Sequence, residues 1–447
     1  MKSNFIFTPE KFDSYPIHTN ACVGNNGNSD IFEYAKGFAS AANILIKIST
    51  TQDSSFGNLF HPDYAVYPIC FNMRHSIELF LKSYIKFTIH LAELKKIKIN
   101  HSAAMMKAHD INNLWDYLTN NYKILDKRLI NKANVIAPYI ECFGNIDATG
   151  QTFRYPYDIE NKKHLISQSV INIMHLGRHF NELEQLLESF YNYHHSIIFE
   201  YEMGSFTRNL SRDDLLAIAK MLPHINEWKN NSFKKLKNEI IAIFNISSNE
   251  LTNAINIIKN HYEFGYFIGK VPLLSDFNEE EFYFFMDKWY QLHDLSYIYN
   301  KSDDLIIDSN NIDSSIDENN KRSFKKRVIR GTNKSYEIAK TTDELINYIE
   351  AKTVININTL YYFSRECVFS EEYSLTYPYY ERDCKQDIKQ AIRHILNKTI
   401  LLPEIIISLL RLNQNQIALT LIDKYKLKNY IKEQLEQRDI NISISFD

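Results

Sequence analysis

The chain has 447 residues, enough for two or three domains, and its 45% hydrophobic and 23% charged residues are ordinary for a globular protein. Its formal net charge of −3 gives no overall basic surface, so nucleic-acid binding would require a local cluster of cations. No run of about 18 apolar residues is present and the N-terminus lacks the apolar core of a signal peptide, so we expect no membrane partner and a cytoplasmic location.

Turn-forming residues are scarce for a chain of this length, with only 11 Gly and 10 Pro. Strand-rich folds need many tight turns, so this scarcity predicts an all-α fold with long helices. The five Cys form no CxxC pair, and their number is odd. We therefore expect neither a disulfide framework nor a zinc cluster, and a reducing compartment fits best.

The N-terminal part of the chain predicts an irregular segment over residues 1–29 and then a helical bundle over residues 30–198. Within this bundle, apolar residues recur at helical spacing along a continuous stretch over residues 63–95. The stretch predicts one long helix. Pro68 near its start is tolerable only in the first turn or at a kink.

The remainder of the chain predicts two more helical regions joined by a charged linker. The second region covers residues 199–300 and the third covers residues 336–447. Between them, residues 301–335 pass from an Asp- and Asn-rich stretch into the basic stretch KRSFKKRVIR. Charge blocks with few apolar residues are typical of flexible linkers, so the predicted architecture is multidomain.

Four polar residues share one side of the long helix: Arg74, His75, Glu78 and Lys82. At about 100° per residue they fall within an arc of roughly 100°, beside an apolar face. A charged strip next to a core must be paired or must line a pocket. The strip therefore predicts either an Arg–Glu–Lys network that fixes helix register or a site that handles phosphate or RNA.

Three short motifs in the first helical region have a characteristic order and spacing. They are Arg74-His75-x-x-Glu78-x-x-x-Lys82, His109-Asp110-x-x-x-Leu114-Trp115 and Phe153-Arg154-Tyr155-Pro156. This arrangement resembles helical proteins of the HEPN superfamily, which are found among bacterial defence and toxin–antitoxin genes. The resemblance covers about residues 30–195, under half of the chain.

The resemblance implies a four- or five-helix bundle, often a homodimer, that in many members is a metal-independent ribonuclease. In other members a degenerate domain serves for dimerisation or sensing. The ribonucleases place an Arg a few residues before a His, near the start of the last bundle helix. This chain departs from that motif, because Arg154 and His164 are too far apart and Arg178 and His179 are adjacent.

A catalytic site built from these motifs would need a base, a phosphate ligand and a nearby ribose. The base takes the 2′-OH proton, the oxygen attacks the adjacent phosphate, and cations stabilise the developing charge. His75 or His109 is the expected base, oriented by Glu78 or Asp110. Asp110 equally fits a plain helix start, stabilised by the helix dipole.

The expected phosphate or RNA ligands are Arg74, Lys82 and Arg154, with Tyr155 beside them, because Arg binds phosphate bidentately. Their convergence requires the loop that carries Arg154 to fold over two helices. In the plainer interpretation Arg154 pairs with Asp147 within a turn.

Motifs for cofactors and metals are absent from the sequence. It contains no GxxxxGK[ST], GxGxxG, GxSxG or HExxH pattern, so we expect no cofactor and no metal site. The basic stretch at 321–330 contacts phosphates in one interpretation and is a solvated linker in another.

Taken together, the patterns predict a bacterial antiphage defence protein with an RNA-cleaving effector domain. The alternatives are a non-catalytic helical sensor or interaction protein, and a nucleic-acid-binding regulator that uses the basic stretch.

Overall fold

The computed structural model is helical in all its regular elements. The described residues are 17–27, 30–51, 61–293, 295, 334–440 and 442. None of them lies in a β-strand, which confirms the predicted all-α fold. The basic stretch at 321–330 and all but the last two positions of the predicted linker lie outside the described residues, as does most of the segment predicted over 1–29.

Contacts within the chain divide it into two compact units, Met1–Glu202 and Met203–Asp447. The helical bundle predicted over residues 30–198 falls within the first unit. The region predicted over residues 336–447 and all but the first four residues of the region predicted over 199–300 fall within the second unit, because the last helix of the first unit runs on to Glu202.

The first unit consists of helices α1 to α6. Their bounds are α1 Ile31–Thr50, α2 Pro62–Leu94, α3 Ser102–Lys107, α4 Ile111–Leu125, α5 Lys127–Asp147 and α6 Ile173–Glu202. Helix α2 is central, because it packs against α1, α4 and α6. Its apolar face is fully buried, including Met73, Ile77 and Phe80.

Helix α2 begins earlier than its internal proline suggests. Pro62 occupies the start, where a missing N–H costs nothing, and the His61 ring accepts a hydrogen bond from the Asp63 N–H at 3.3 Å. Pro68 lies inside the helix, past the first turn. It removes one backbone hydrogen bond there, and packing against the neighbouring helices must offset that loss.

The described residues of the second unit form helices α7 to α18. Their bounds are α7 Arg212–Met221, α8 Asn231–Phe244, α9 Ser248–Lys259, α10 Phe264–Phe267, α11 Glu279–Leu292, α12 334–346, α13 Ala351–Glu366, α14 Glu372–Gln386, α15 Ile388–Leu396, α16 Leu401–Arg411, α17 Asn415–Lys424 and α18 Lys428–Gln437.

The described residues of this unit form two hydrophobic clusters, whose boundaries differ from those of the predicted regions. Helices α7 to α10 surround one cluster, which includes Leu215 and Ile258. Helix α11 instead contributes Trp289 to the cluster of the C-terminal helices, where its indole N–H donates to the Lys398 carbonyl at 2.9 Å. The predicted region at 199–300 therefore divides between two cores.

Candidate active site

Glu78 is the centre of a buried polar cluster on α2. Its side chain is 3% exposed, and one carboxylate oxygen accepts hydrogen bonds from Lys82 Nζ at 2.8 Å and His109 Nδ1 at 2.9 Å. The other oxygen pairs with the Arg74 guanidinium. Residues four apart lie on one helix face, so α2 alone brings Arg74, Glu78 and Lys82 together. His109, just before α4, joins them through the tertiary fold.

Burial and hydrogen bonding act in opposite directions on Glu78. Burial raises the pKa of its carboxyl, whereas hydrogen bonds from Lys82, Arg74 and His109 lower it, and the resulting pKa lies below its ordinary value. Glu78 is therefore an anion at neutral pH. Its burial is tolerable because cations and donors surround both oxygens.

Arg74 ties α2 to the ends of two other helices. Its Nε donates to the Asp147 carbonyl at 3.2 Å, and its Nη2 donates to the Ala148 carbonyl at 2.7 Å and to the His109 carbonyl. These bonds use most of the five donors of the guanidinium. Arg74 thus holds together the end of α5 and the chain entering α4.

The loop after α5 closes over Arg74. Gly150 in this loop has φ +79°, and a Cβ atom there would lie 2.9 Å from Arg74 Nη1. Only glycine combines the left-handed backbone with such a close approach. The sequence analysis did not identify Gly150 as part of the site.

Asp147 is buried at the same junction. One carboxylate oxygen accepts from the Thr152 N–H at 3.1 Å, and the other has no hydrogen-bond partner among the described residues. The predicted pairing of Asp147 with Arg154 is not among the ion pairs of the described chain. Burial and the nearby Asp147 charge raise the pKa of the Cys70 thiol to about 12, so this thiol is not a nucleophile at neutral pH.

Asp110 acts as a helix cap. Its carboxylate accepts from the N–H groups of Asn112 at 2.9 Å and Asn113 at 3.1 Å, which satisfies two free donors at the start of α4. Asp110 is therefore a helix start, as the plainer interpretation predicts. The carboxylate that contacts the His109 ring is Glu78.

Two histidines lie on either side of the Glu78 carboxylate. His109 Nδ1 is 2.9 Å from Oε1 and its side chain is 69% exposed, while His75 Nδ1 is 4.0 Å from Oε2 and its side chain is 29% exposed. The His75 ring packs edge-on against Phe38, with 4.4 Å between ring centroids. Burial lowers the pKa of His75, and the attraction of Glu78 does not outweigh it.

Arg154 and Tyr155 lie at the surface beside these histidines. The Arg154 guanidinium is 5.5 Å from the centroid of the Phe71 ring and 5.4 Å from that of Tyr155. Phe71 in turn stacks on His75, with 5.8 Å between centroids. Arg154 has no carboxylate partner among the described residues, and its charge contributes to the lowered pKa of His75.

The predicted site residues thus separate into two groups. Arg74, Glu78 and Lys82 are buried and bonded to one another, whereas His75, His109, Arg154 and Tyr155 reach the surface around them. The buried cations hold Glu78, and Arg154 is the cation left accessible to a phosphate. Arg178 and His179 form a separate exposed contact on α6.

A second buried ionic cluster escaped the sequence analysis. In the second unit, Arg212 Nε donates to Glu371 Oε1 at 2.9 Å, His261 Nε2 lies 2.9 Å from the same oxygen, and Arg212 also pairs with Glu263. Burial raises the pKa of Glu371, but His261 and Arg212 hold it well below its usual range. Since 159 residues separate Arg212 from Glu371, no local sequence pattern predicts that they pair.

The described part of the chain has neither a candidate metal site nor a membrane-spanning helix. It holds no group of three or more His, Cys, Asp or Glu residues placed to bind a metal ion. No helix there has both the length and the apolar character needed to cross a membrane. Comparison of the chain with protein-family models, curated proteins and solved structures finds no match.

Proposed function

We propose that the first unit is an RNA-cleaving domain of a bacterial antiphage defence protein, with His75 and His109 as its proton-transfer groups. The observation that carries the proposal is that two partly exposed imidazoles flank one buried carboxylate, at 4.0 and 2.9 Å. The resemblance of residues 30–195 to the HEPN superfamily supports the choice of RNA as substrate.

The two histidines differ in a way that assigns their roles. The lowered pKa of His75 leaves its ring neutral at neutral pH, as a general base requires. His109 is assigned the role of general acid, because the Glu78 carboxylate accepts a hydrogen bond from its Nδ1 and so holds the ring in one orientation. The His109 Nε2 has no hydrogen-bond partner among the described residues, so it is available to a substrate.

The proposed reaction is an intramolecular phosphoryl transfer. His75 takes the proton of a ribose 2′-OH, and the bond between this oxygen and the adjacent phosphorus forms. The bond from phosphorus to the 5′ oxygen breaks, and that oxygen takes a proton from His109. Arg154 pairs with the phosphate, whose charge increases at the transition state. The products are a 2′,3′-cyclic phosphate and a 5′-hydroxyl, and exchange with water restores both histidines.

A non-catalytic role for the first unit is the second candidate. It is favoured by the hydrogen bonds from Arg74 to three backbone carbonyls, because these bonds hold helix ends together and explain the buried cluster without catalysis. In that case the polar strip stabilises a sensor or interaction domain.

Cleavage of a fluorescent single-stranded RNA by the purified full chain distinguishes the two candidates. We expect the His75→Ala and His109→Ala variants each to lose activity by about 100-fold or more, the usual size of an acid–base contribution. The matched control is His179→Ala, because His179 also pairs with a glutamate at 2.9 Å but lies exposed on α6.

The cleaved RNA should carry a 2′,3′-cyclic phosphate end, which mass spectrometry identifies. In cells, the wild type should degrade RNA or protect against phage, and the folded double variant His75→Ala/His109→Ala should do neither. If the wild type cleaves no RNA, or all three single variants cleave equally well, the ribonuclease proposal is wrong and the non-catalytic role stands.

A further inference from the structure

The second unit contains an open cavity of about 920 Å³. Its wall comes from α7, α10, the connection between α13 and α14, the end of α16, and residues that follow α18. This volume is in the upper part of the range for pockets that hold small organic molecules. The cavity is far larger than a few water molecules require.

Two charged residues of the cavity wall, Glu263 and Arg438, are neutralised by partners behind the wall. Arg438 binds the buried Glu404 carboxylate through two hydrogen bonds, at 2.8 and 2.7 Å. Glu263 pairs with Arg212. These four side chains therefore contribute little net charge to the cavity.

Arg411 is a cation of the wall that forms no ion pair among the described residues, although Glu372 and Glu263 attract its charge from nearby. Its guanidinium donates to the carbonyls of Phe363 at 3.2 Å, Cys367 at 2.9 Å and Val368 at 2.8 Å, and it lies 4.4 Å from the Phe363 ring centroid. Burial lowers the pKa of Arg411, because it removes water from around the charge. A partly buried charge of this kind gains from an anion more than a surface cation does.

Lys220 on α7 is a second cation of the wall without a carboxylate partner in the described chain. Its Nζ lies 5.5 Å from the centroid of the Phe267 ring, which also lines the cavity. Asp439 is the carboxylate of the wall that no described cation pairs with, and it is exposed. Among the described residues, the wall therefore holds two cations that form no ion pair and one such carboxylate, which is exposed.

Apolar and aromatic surface accompanies these cations. Tyr266 and Phe267 line the cavity and remain 36% and 37% exposed, beside Leu216 and Leu410. Guanidinium and ammonium groups recognise carboxylates and phosphates, while aromatic faces take up flat, apolar groups. We propose that this cavity is a binding site for a small organic anion, with its carboxylate or phosphate on Arg411 and Lys220 and its apolar body against Tyr266 and Phe267. The site is separate from the proposed ribonuclease centre and does not depend on it.

Three matched probes test the proposal on the full chain by titration calorimetry: phenyl phosphate, phenylacetate and the neutral phenethyl alcohol. We expect at least one anion to bind at least tenfold more tightly than the alcohol. The comparison of phenyl phosphate with phenylacetate identifies which head group the site prefers. Equal affinity for all three probes, or no binding of either anion at millimolar concentration, overturns the proposal.

Surface variants locate the binding without disturbing the fold. Lys220→Glu reverses an exposed charge of the wall, and Val368→Trp fills the cavity from a side chain that is 66% exposed. Each should weaken anion binding at least tenfold. Lys432→Glu is the matched control, because Lys432 is exposed on α18 and does not line the cavity. If this control weakens binding as much as Lys220→Glu does, the anion binds elsewhere and the proposal fails.

Discussion

Glu78 on α2 accepts a hydrogen bond at 2.9 Å from the ring of His109, which lies 31 residues further along the chain. The carboxylate is buried, whereas the imidazole is exposed to solvent. One buried charge therefore sets the orientation of a surface histidine. The same carboxylate is also the counter-ion of two buried cations, so the stability of the first unit and its proposed chemistry depend on one residue.

Replacement of Glu78 by Gln should destabilise the first unit strongly. The variant keeps the side-chain shape but leaves Arg74 and Lys82 without an anion in a buried site, which costs about 3–5 kcal/mol of unfolding free energy. Urea denaturation measures this change. Glu182→Gln is the control, since Glu182 makes its contact with His179 at the surface, where solvent screens the charge, and the substitution should leave the unfolding free energy nearly unchanged. Similar losses in both variants would contradict a buried network.

Replacement of Gly150 by Ala tests the closure of the loop over Arg74. The new Cβ atom would lie 2.9 Å from Arg74 Nη1, which is too close. The alanine would also be strained by the backbone angle φ of +79°. Gly204→Ala is the control, because Gly204 has φ +81° but no atom within 4 Å of the added Cβ. We expect Gly150→Ala to cost about 1 kcal/mol or more beyond the control in thermal or urea unfolding. Equal costs would show that Arg74 moves freely.

The pH dependence of RNA cleavage follows from His75. A general base must be deprotonated, and the pKa of His75 lies below its ordinary value of 6.5. The midpoint of the acidic limb of the rate profile should therefore lie below pH 6.5, so cleavage at pH 6.5 should keep more than half of its rate at pH 7. Initial rates in a series of buffers at constant ionic strength measure the profile. A midpoint of this limb above pH 7 would exclude His75 as the base.

Acid should destabilise the first unit through His194. This ring is buried, its Nδ1 donates to the Phe190 carbonyl, and its Nε2 accepts from the Tyr122 hydroxyl. Burial lowers the pKa of His194 to about 3. Between about pH 3 and 6.5 only the unfolded chain binds the proton, so the unfolding free energy falls as pH falls, by roughly 1.4 kcal/mol per pH unit.

The His194→Gln variant should show a shallower loss of stability between pH 6 and pH 4 than the wild type. Urea unfolding at each pH gives the two slopes. The exposed neighbour supplies the control, and His195→Gln should retain the slope of the wild type. Parallel curves for His194→Gln and the wild type would show that another group causes the acid sensitivity.

Local patterns in the sequence were sufficient to predict the helical fold and the charged strip on α2. The scarcity of Gly and Pro predicts long helices, and the apolar period along residues 63–95 predicts the helix that the structure shows as α2. The i,i+4 spacing along this helix places Arg74, Glu78 and Lys82 side by side. These properties depend on 3.6 residues per turn, which any helix imposes on its own residues. They require no knowledge of the rest of the chain.

The tertiary structure decided which of these residues are buried and what they contact. The bonds of Glu78 to His109 and of Arg74 to the Asp147 and Ala148 carbonyls span 31, 73 and 74 residues, and that between Arg212 and Glu371 spans 159. Such contacts depend on how separate helices pack, and helical period carries no information about packing partners. The sequence by itself determined a charged strip on a helix, and only the fold made it a buried carboxylate with a histidine on either side.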